Sequence, residues 1–106
     1  NFSLMHQENG VTLSPAYDLL NVNLLNPKDL EELALTINGK KARIKLVDFK
    51  VLAEKLNIPE NVYNRFFKFY SSKNDEVMNL IDCSFLDDNL KVKYKEIWMN
   101  KQKLFA

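Results

Sequence analysis

Asn9-Gly10 and Asn38-Gly39 hold both glycines of the chain, and both lie in its first forty residues. Beyond Leu46 there is no glycine, and the apolar residues change from alternating to helical spacing. That asymmetry sets two tight turns early and leaves the rest to helices. Asn-Gly between extended runs is a strong hairpin signal, because both residues tolerate the positive φ of a type I′ turn. Phe2 to Gln7 and Val11 to Leu13 are such runs, and Pro15, which lacks an N–H donor, frays the second. Leu33, Leu35 and Ile37 alternate before Asn38-Gly39, and Ala42, Ile44 and Leu46 after it, which predicts a second short hairpin. Between the two, Asn26-Pro27 with Asp29 and Glu31 reads as a helix start: a cap, a proline in the first turn, acids at the positive end of the dipole.

Phe49, Leu52, Ala53 and Leu56 then fall on one face of a helix ended by Asn57 and Pro59. Pro59 and Glu60 open a second, striped by Val62, Phe66, Phe69 and Tyr70 and flanked by Tyr63 and Phe67. Ser72 with Asp75 three residues on suggests a third start, with Val77, Leu80, Ile81 and Phe85 as its stripe. Asp87 and Asp88 open a last helix carrying Leu90, Tyr94, Ile97, Trp98, Leu104 and Phe105. The expected fold class is α+β, mainly α: an N-terminal β-hairpin and a second short hairpin followed by three to four packed helices. It is one domain over 1–106, with a hairpin at 1–20 and a helical bundle at 46–106, since 106 residues supply one core at most.

Composition narrows the function. Fifteen Lys+Arg against fourteen Asp+Glu leave a net charge of +1, which argues against a dedicated nucleic-acid binder. At 46% hydrophobic the chain is not intrinsically disordered. The single cysteine, Cys83, permits no internal disulfide and no zinc spacing, so a reducing, cytoplasmic setting is expected. No apolar run approaches the roughly 20 residues of a membrane helix, and no signal-peptide pattern appears. Asn1 already reads as the interior of a strand, and the expectation is a chain cut from a longer polypeptide.

If Asn9 and Gly10 are the two loop residues, Glu8 pairs with Val11 and paired numbers sum to nineteen. Ser3 then meets Ala16, Phe2 meets Tyr17, and Asn1 lies opposite Asp18. Cross-strand partners share a face, so an amide oxygen and a carboxylate converge at the open end. Hard oxygen donors suit Mg²⁺, which takes one or two protein groups and fills its octahedron with water and phosphate oxygens. The competing reading is ordinary: Asn and Asp at strand ends are usually turn or capping residues.

Asn1-Phe2-Ser3-Leu4, the Asn-Gly turn and Leu13-Ser14-Pro15-Ala16-Tyr17-Asp18-Leu19-Leu20 together resemble the C-terminal lobe of HipA-like serine/threonine kinases, toxins of bacterial toxin–antitoxin pairs. Leu35-Thr36-Ile37-Asn38-Gly39-Lys40-Lys41 and the Asp48-Phe49 helix resemble that family's next segment, so the likeness runs to about Ile58. The resemblance implies that Asn1 is the asparagine closing the catalytic loop and Asp18 the metal-chelating counterpart of the DFG aspartate. Both would hold the Mg²⁺ that bridges the ATP phosphates in the full-length protein. The family's catalytic aspartate lies five positions before that asparagine, and the nucleotide-binding lobe further upstream, both before residue 1. The 106 residues alone are therefore expected to bind no cofactor and to be inactive. The implied partners are the N-terminal kinase lobe, an antitoxin and a protein substrate; no nucleic acid or membrane is expected. A truncated, non-catalytic remnant that docks an antitoxin-like partner is the alternative. Either way, apolar surface is expected near Phe2, Tyr17 and Leu19, with self-association through it.

The remaining features read plainly. His6 has no Ser/Cys–Asp neighbours and is structural or at the surface. Cys83 is expected to be a buried, inert thiol. The aromatics Tyr63, Phe66, Phe67, Phe69 and Tyr70 spread round much of a helix and are expected to pack on two sides. Lys91, Lys93 and Lys95 read as a solvated surface. Lys40, Lys41 and Arg43 form a basic turn able to touch a partner.

Overall fold

A computed structural model of the chain describes residues 1–104; Phe105, assigned by its spacing to the last helical stripe, lies outside the described residues. Strands β1 (Leu4–Gln7) and β2 (Gly10–Leu13) form an antiparallel hairpin. Five helices follow among the described residues: α1 (Val22–Leu25), α2 (Leu46–Lys55), α3 (Glu60–Ser71), α4 (Asn74–Asp82) and α5 (Asp88–Gln102). The chain is thus mainly helical behind an N-terminal hairpin, as its periodicity indicates.

The first hairpin has a different register from the expected one. Leu4 pairs with Leu13, Met5 with Thr12, His6 with Val11 and Gln7 with Gly10, so paired numbers sum to seventeen. The loop is Glu8-Asn9, and the positive φ falls on Gly10 alone, at 128°. A turn without positive φ followed by a glycine that carries it resembles the type I turn with a glycine bulge rather than type I′. Pairing ends where the Ser14 N–H donates to the Ser3 carbonyl at 2.8 Å, just before Pro15. The expected Ser3–Ala16, Phe2–Tyr17 and Asn1–Asp18 ladder pairs do not form.

The second Asn-Gly does make the mirror-image turn. Asn38 and Gly39 have φ of 50° and 74°, and Ile37 and Lys40 exchange two backbone bonds of 2.9 Å across them. Beyond that one bridge the arms do not run as strands. Instead the Glu32 and Leu33 N–H groups both donate to the Lys41 carbonyl, and Arg43 turns the chain at φ 53°.

Asn26-Pro27 ends a helix rather than starting one. Asn21 caps the single turn of α1, its Oδ1 accepting the Leu24 N–H at 3.1 Å, and Asn26 closes it. Ser72 likewise belongs to the end of α3, where its hydroxyl donates to the Phe69 carbonyl; Lys73 precedes α4 with no side-chain cap. The α2 and α5 boundaries follow the sequence. Asp87 Oδ1 accepts the Leu90 N–H at 2.9 Å to start α5. Asn57, at φ 53°, ends α2: its N–H donates to the Glu54 carbonyl and that of Ile58 to the Ala53 carbonyl, the paired bonds of a Schellman motif.

Packing is sparse. Leu24, Ile44, Ala53 and Ile81 are the buried apolar side chains among the described residues. The α4–α5 pair is held by polar ties, Lys95 to Asp82 and Trp98 Nε1 to Asn74 Oδ1 at 3.2 Å, and Ile81 of α4 is buried. Leu80 and Phe85, expected on the α4 core stripe, are exposed, Phe85 completely. Cys83 is exposed as well, because it is the C-cap of α4 rather than part of its inner face. The radius of gyration, 16.2 Å, exceeds the about 13 Å of a compact domain of this length. Phe2, Tyr17 and Leu19 are exposed, as expected, and every hairpin strand residue faces solvent. No helix among the described residues is long and apolar enough to cross a membrane.

Candidate functional site

The open end of the hairpin brings Asn1 and Asp18 together by a route other than the ladder. Pro15 stops the pairing, and the Ser3 and Tyr17 hydroxyls then meet at 2.7 Å, pinning the departing strand against the first. One residue later Asp18 turns in the left-handed region, at φ 49°. Its backbone carbonyl accepts the Asn1 side-chain amide N–H at 2.5 Å. Aspartate tolerates positive φ better than most residues, which suits it to this corner. The Asn1 amide nitrogen is therefore committed to the chain, leaving its Oδ1 as the lone-pair-bearing end of the group. The Asp18 carboxylate has no hydrogen bond or ion pair among the described residues.

Two hard oxygen donors on adjoining backbone fit a small divalent cation in kind. Among the described residues no group of three His, Cys, Asp or Glu side chains could hold a metal. An ion held by Asn1 and Asp18 would thus take most of its shell from water or a phosphate ligand. Asn1 also borders a cleft of about 650 Å³ between Leu19–Asn23, the 29–34 loop and the Tyr94–Lys101 side of α5.

Glu32 and Lys101 form an ion pair at the far wall of that cleft, linking the loop to the end of α5. Burial alone would raise the Glu32 carboxyl, but the hydrogen bonds from Lys101 and from the Arg43 N–H, at 2.7 Å, bring it below its ordinary value. The pair fixes the loop rather than offering a free charge.

Sequence reasoning missed the one fully buried charge among the described residues, Asp48. Its carboxylate accepts from Lys40 Nζ at 2.8 and 3.1 Å, Asn38 Nδ2 at 2.9 Å and the Lys45 N–H at 2.9 Å. The bonds from Lys40, Asn38 and the Lys45 backbone hold its carboxyl down at about 2. Asp48 is the third residue of α2, where an acid reaching back to the N-cap N–H is a known capping arrangement. That position was the available signal; the partners eight and ten residues upstream were not legible. The basic turn is consequently engaged from within: Lys40 on Asp48 and Lys41 on Glu31 at 3.1 Å. His6 lies exposed on β1, away from any nucleophile–acid arrangement.

No protein-family model matches the chain, and a search of curated proteins finds no match.

Proposed function

We propose that the chain is part of the C-terminal lobe of a HipA-like, ATP-dependent serine/threonine protein kinase, with Asn1 and Asp18 as its Mg²⁺ ligands. The observation that carries this reading is the Asn1 amide bonded to the Asp18 backbone, which brings the two residues matching the family's metal ligands to one corner. A second support is that Asn38, Lys40 and Asp48, all in the second segment of resemblance, form one interlocked unit.

In this reading Asn1 Oδ1 and the Asp18 carboxylate hold the ion, and Asp18 gains its fixed position from the Ser3–Tyr17 contact and its own left-handed turn. Bound there with ATP, Mg²⁺ supplies neutralisation of charge developing on the β- and γ-phosphates. The chain's own contribution is position, the main term in phosphoryl transfer. Without a nucleotide lobe or catalytic base the 106 residues turn over no ATP. In the longer polypeptide, Asp18→Asn lowers kcat by roughly 10²-fold or more, on the scale of losing one preorganised charge-stabilising group. Undiminished activity removes Asp18 from the mechanism, and ATPase from the isolated chain removes the reading as a whole.

The exposed apolar residues favour a second reading, a non-catalytic module that binds an antitoxin-like partner or its own kind through the Phe2, Tyr17 and Leu19 region. The coding sequence before Asn1 separates the two. A kinase encodes an aspartate five residues upstream and a nucleotide-binding lobe before it; a reading frame opening near Asn1 leaves the module.

A further inference from the structure

Both glycines of the chain follow an asparagine, at Asn9-Gly10 and Asn38-Gly39. With no Cβ to shield its nitrogen, glycine leaves the preceding side-chain amide open to attack by the backbone. The glycine N–H loses its proton, the nitrogen bonds to the asparagine Cγ, and the bond from Cγ to Nδ2 breaks. Ammonia departs with the proton and a five-membered succinimide closes. Water then opens the ring at either carbonyl, leaving aspartate or, with the backbone rerouted through the side chain, isoaspartate. The reaction uses no reagent but water. Its rate depends on whether the asparagine and the peptide after it are free to swing together out of the turn.

The two turns differ in what holds them. Asn9 stands at the tip of the β1–β2 hairpin, exposed, with no side-chain hydrogen bond among the described residues. Gly10 is tied only through the last ladder pair, with Gln7. No third strand backs the hairpin and its strand residues all face solvent, so that pair opens by local fraying. Asn38 is held from within. Its Nδ2 donates to Asp48 Oδ1 at 2.9 Å, and Lys40, on the other side of Gly39, donates to the same carboxylate at 2.8 and 3.1 Å. Gly39 is thus clamped between two residues that grip one buried charge, and Ile37 and Lys40 close the turn with two backbone bonds of 2.9 Å. Bringing Asn38 Cγ onto the Gly39 nitrogen strips a donor from a carboxylate with no exposed surface.

We propose that Asn9 is a site of spontaneous conversion to isoaspartate and aspartate, and that the contacts of Asn38 and Lys40 with Asp48 shield Asn38 from the same reaction. Modification at residue 9 adds a negative charge beside Glu8. In the isoaspartate form it also lengthens the two-residue loop by one backbone carbon, which unseats the Gln7–Gly10 pair at the end of the ladder. At residue 38 the same change sets a second carboxylate against buried Asp48, and the fold opposes it. Of the two turns the hairpin tip therefore ages first. The inference stands apart from the kinase reading, since it involves neither Asn1 nor Asp18.

The test holds the 106-residue protein at physiological temperature and mildly alkaline pH, once in buffer and once in concentrated urea. Peptide mapping by mass spectrometry follows each asparagine by the mass difference between amide and carboxyl, and an isoaspartate methyltransferase assay reads the rerouted product. In buffer, Asn9 is expected to convert faster than Asn38 by about tenfold or more, the scale of losing a hydrogen bond to a charged group. In urea the two rates should come within about threefold, because only the neighbouring residues then differ. Asp48→Asn should bring Asn38 toward its urea rate, and the milder Lys40→Met part of the way, with Asn9 unchanged as the internal reference. Circular dichroism at the incubation temperature confirms that each variant is folded. Comparable rates in the folded protein, or an intact Asn9 over a period in which the urea-unfolded chain converts, overturns the proposal. So does a difference that persists in urea, or an Asn38 rate indifferent to both variants.

Discussion

Asp48 offers the sharpest perturbation of the fold. Asp48→Asn keeps the shape but replaces one acceptor oxygen by an NH₂ group. That group must face the Lys45 N–H on one side or the Lys40 and Asn38 donors on the other. With no exposed surface to turn toward, donor meets donor. Breaking a fully buried, three-donor carboxylate site in a chain of this size should lower Tm by roughly 15 °C at neutral pH. Lys40→Met, which leaves the Asn38 and Lys45 donors in place, should lower it by about half as much. The pH dependence separates this from a general packing defect. The carboxyl lies at about 2 in the fold against 3.8 for the ordinary group. A depressed carboxyl stabilises the fold above its unfolded pKa, and that stabilisation is lost as pH falls through the folded value. The parent's advantage over Asp48→Asn should therefore be full at about pH 5 and shrink between about pH 4 and pH 2. Thermal unfolding followed at the helical dichroism band reads both effects. A Tm for Asp48→Asn within about 2 °C of the parent at pH 7, or a difference unchanged at pH 2, would refute the reasoning.

Two further substitutions test the helix ends. Asp87→Ala removes the acceptor of the Leu90 N–H and should destabilise the chain by about 1 kcal/mol in urea unfolding, with Asp87→Asn close to the parent. Asn57→Val places a β-branched residue at a φ of 53° and should lower stability by about 1 kcal/mol, whereas Asn57→Gly should match or exceed the parent.

Local signals were legible where local chemistry decides. Asp87, Asn57 and the start of α2 at Leu46 sit where spacing and caps place them. The Asn38-Gly39 turn adopts the mirror-image geometry its residues favour. The same dipeptide at Asn9-Gly10 gave a different turn because Gly10 entered the ladder opposite Gln7, and a two-residue change in pairing moves every cross-strand partner. Asn26-Pro27 carries both a start and a stop signal; Asn21, three residues before Leu24, decided in favour of the stop. Helix α3 shows the limit of periodicity. Its spacing identifies the apolar residues, but which of them find cover depends on a neighbour: Tyr63 and Phe67 are half-buried on the α2 side, while Val62, Phe66, Phe69 and Tyr70 stay exposed. The Asn1–Asp18 juxtaposition was expected for a reason the structure replaces. Proline and a left-handed aspartate close the corner, not cross-strand register.

The most direct test of the account is the position of the ion in a crystal of the proposed kinase, this chain with any upstream sequence its reading frame encodes, grown with Mg²⁺ and a non-hydrolysable ATP analogue. The account predicts one Mg²⁺ bound at about 2.0–2.1 Å by both Asn1 Oδ1 and an Asp18 carboxylate oxygen, with phosphate oxygens and water completing its shell. An ion held by other residues, or Asn1 and Asp18 facing away from a bound nucleotide, would contradict it.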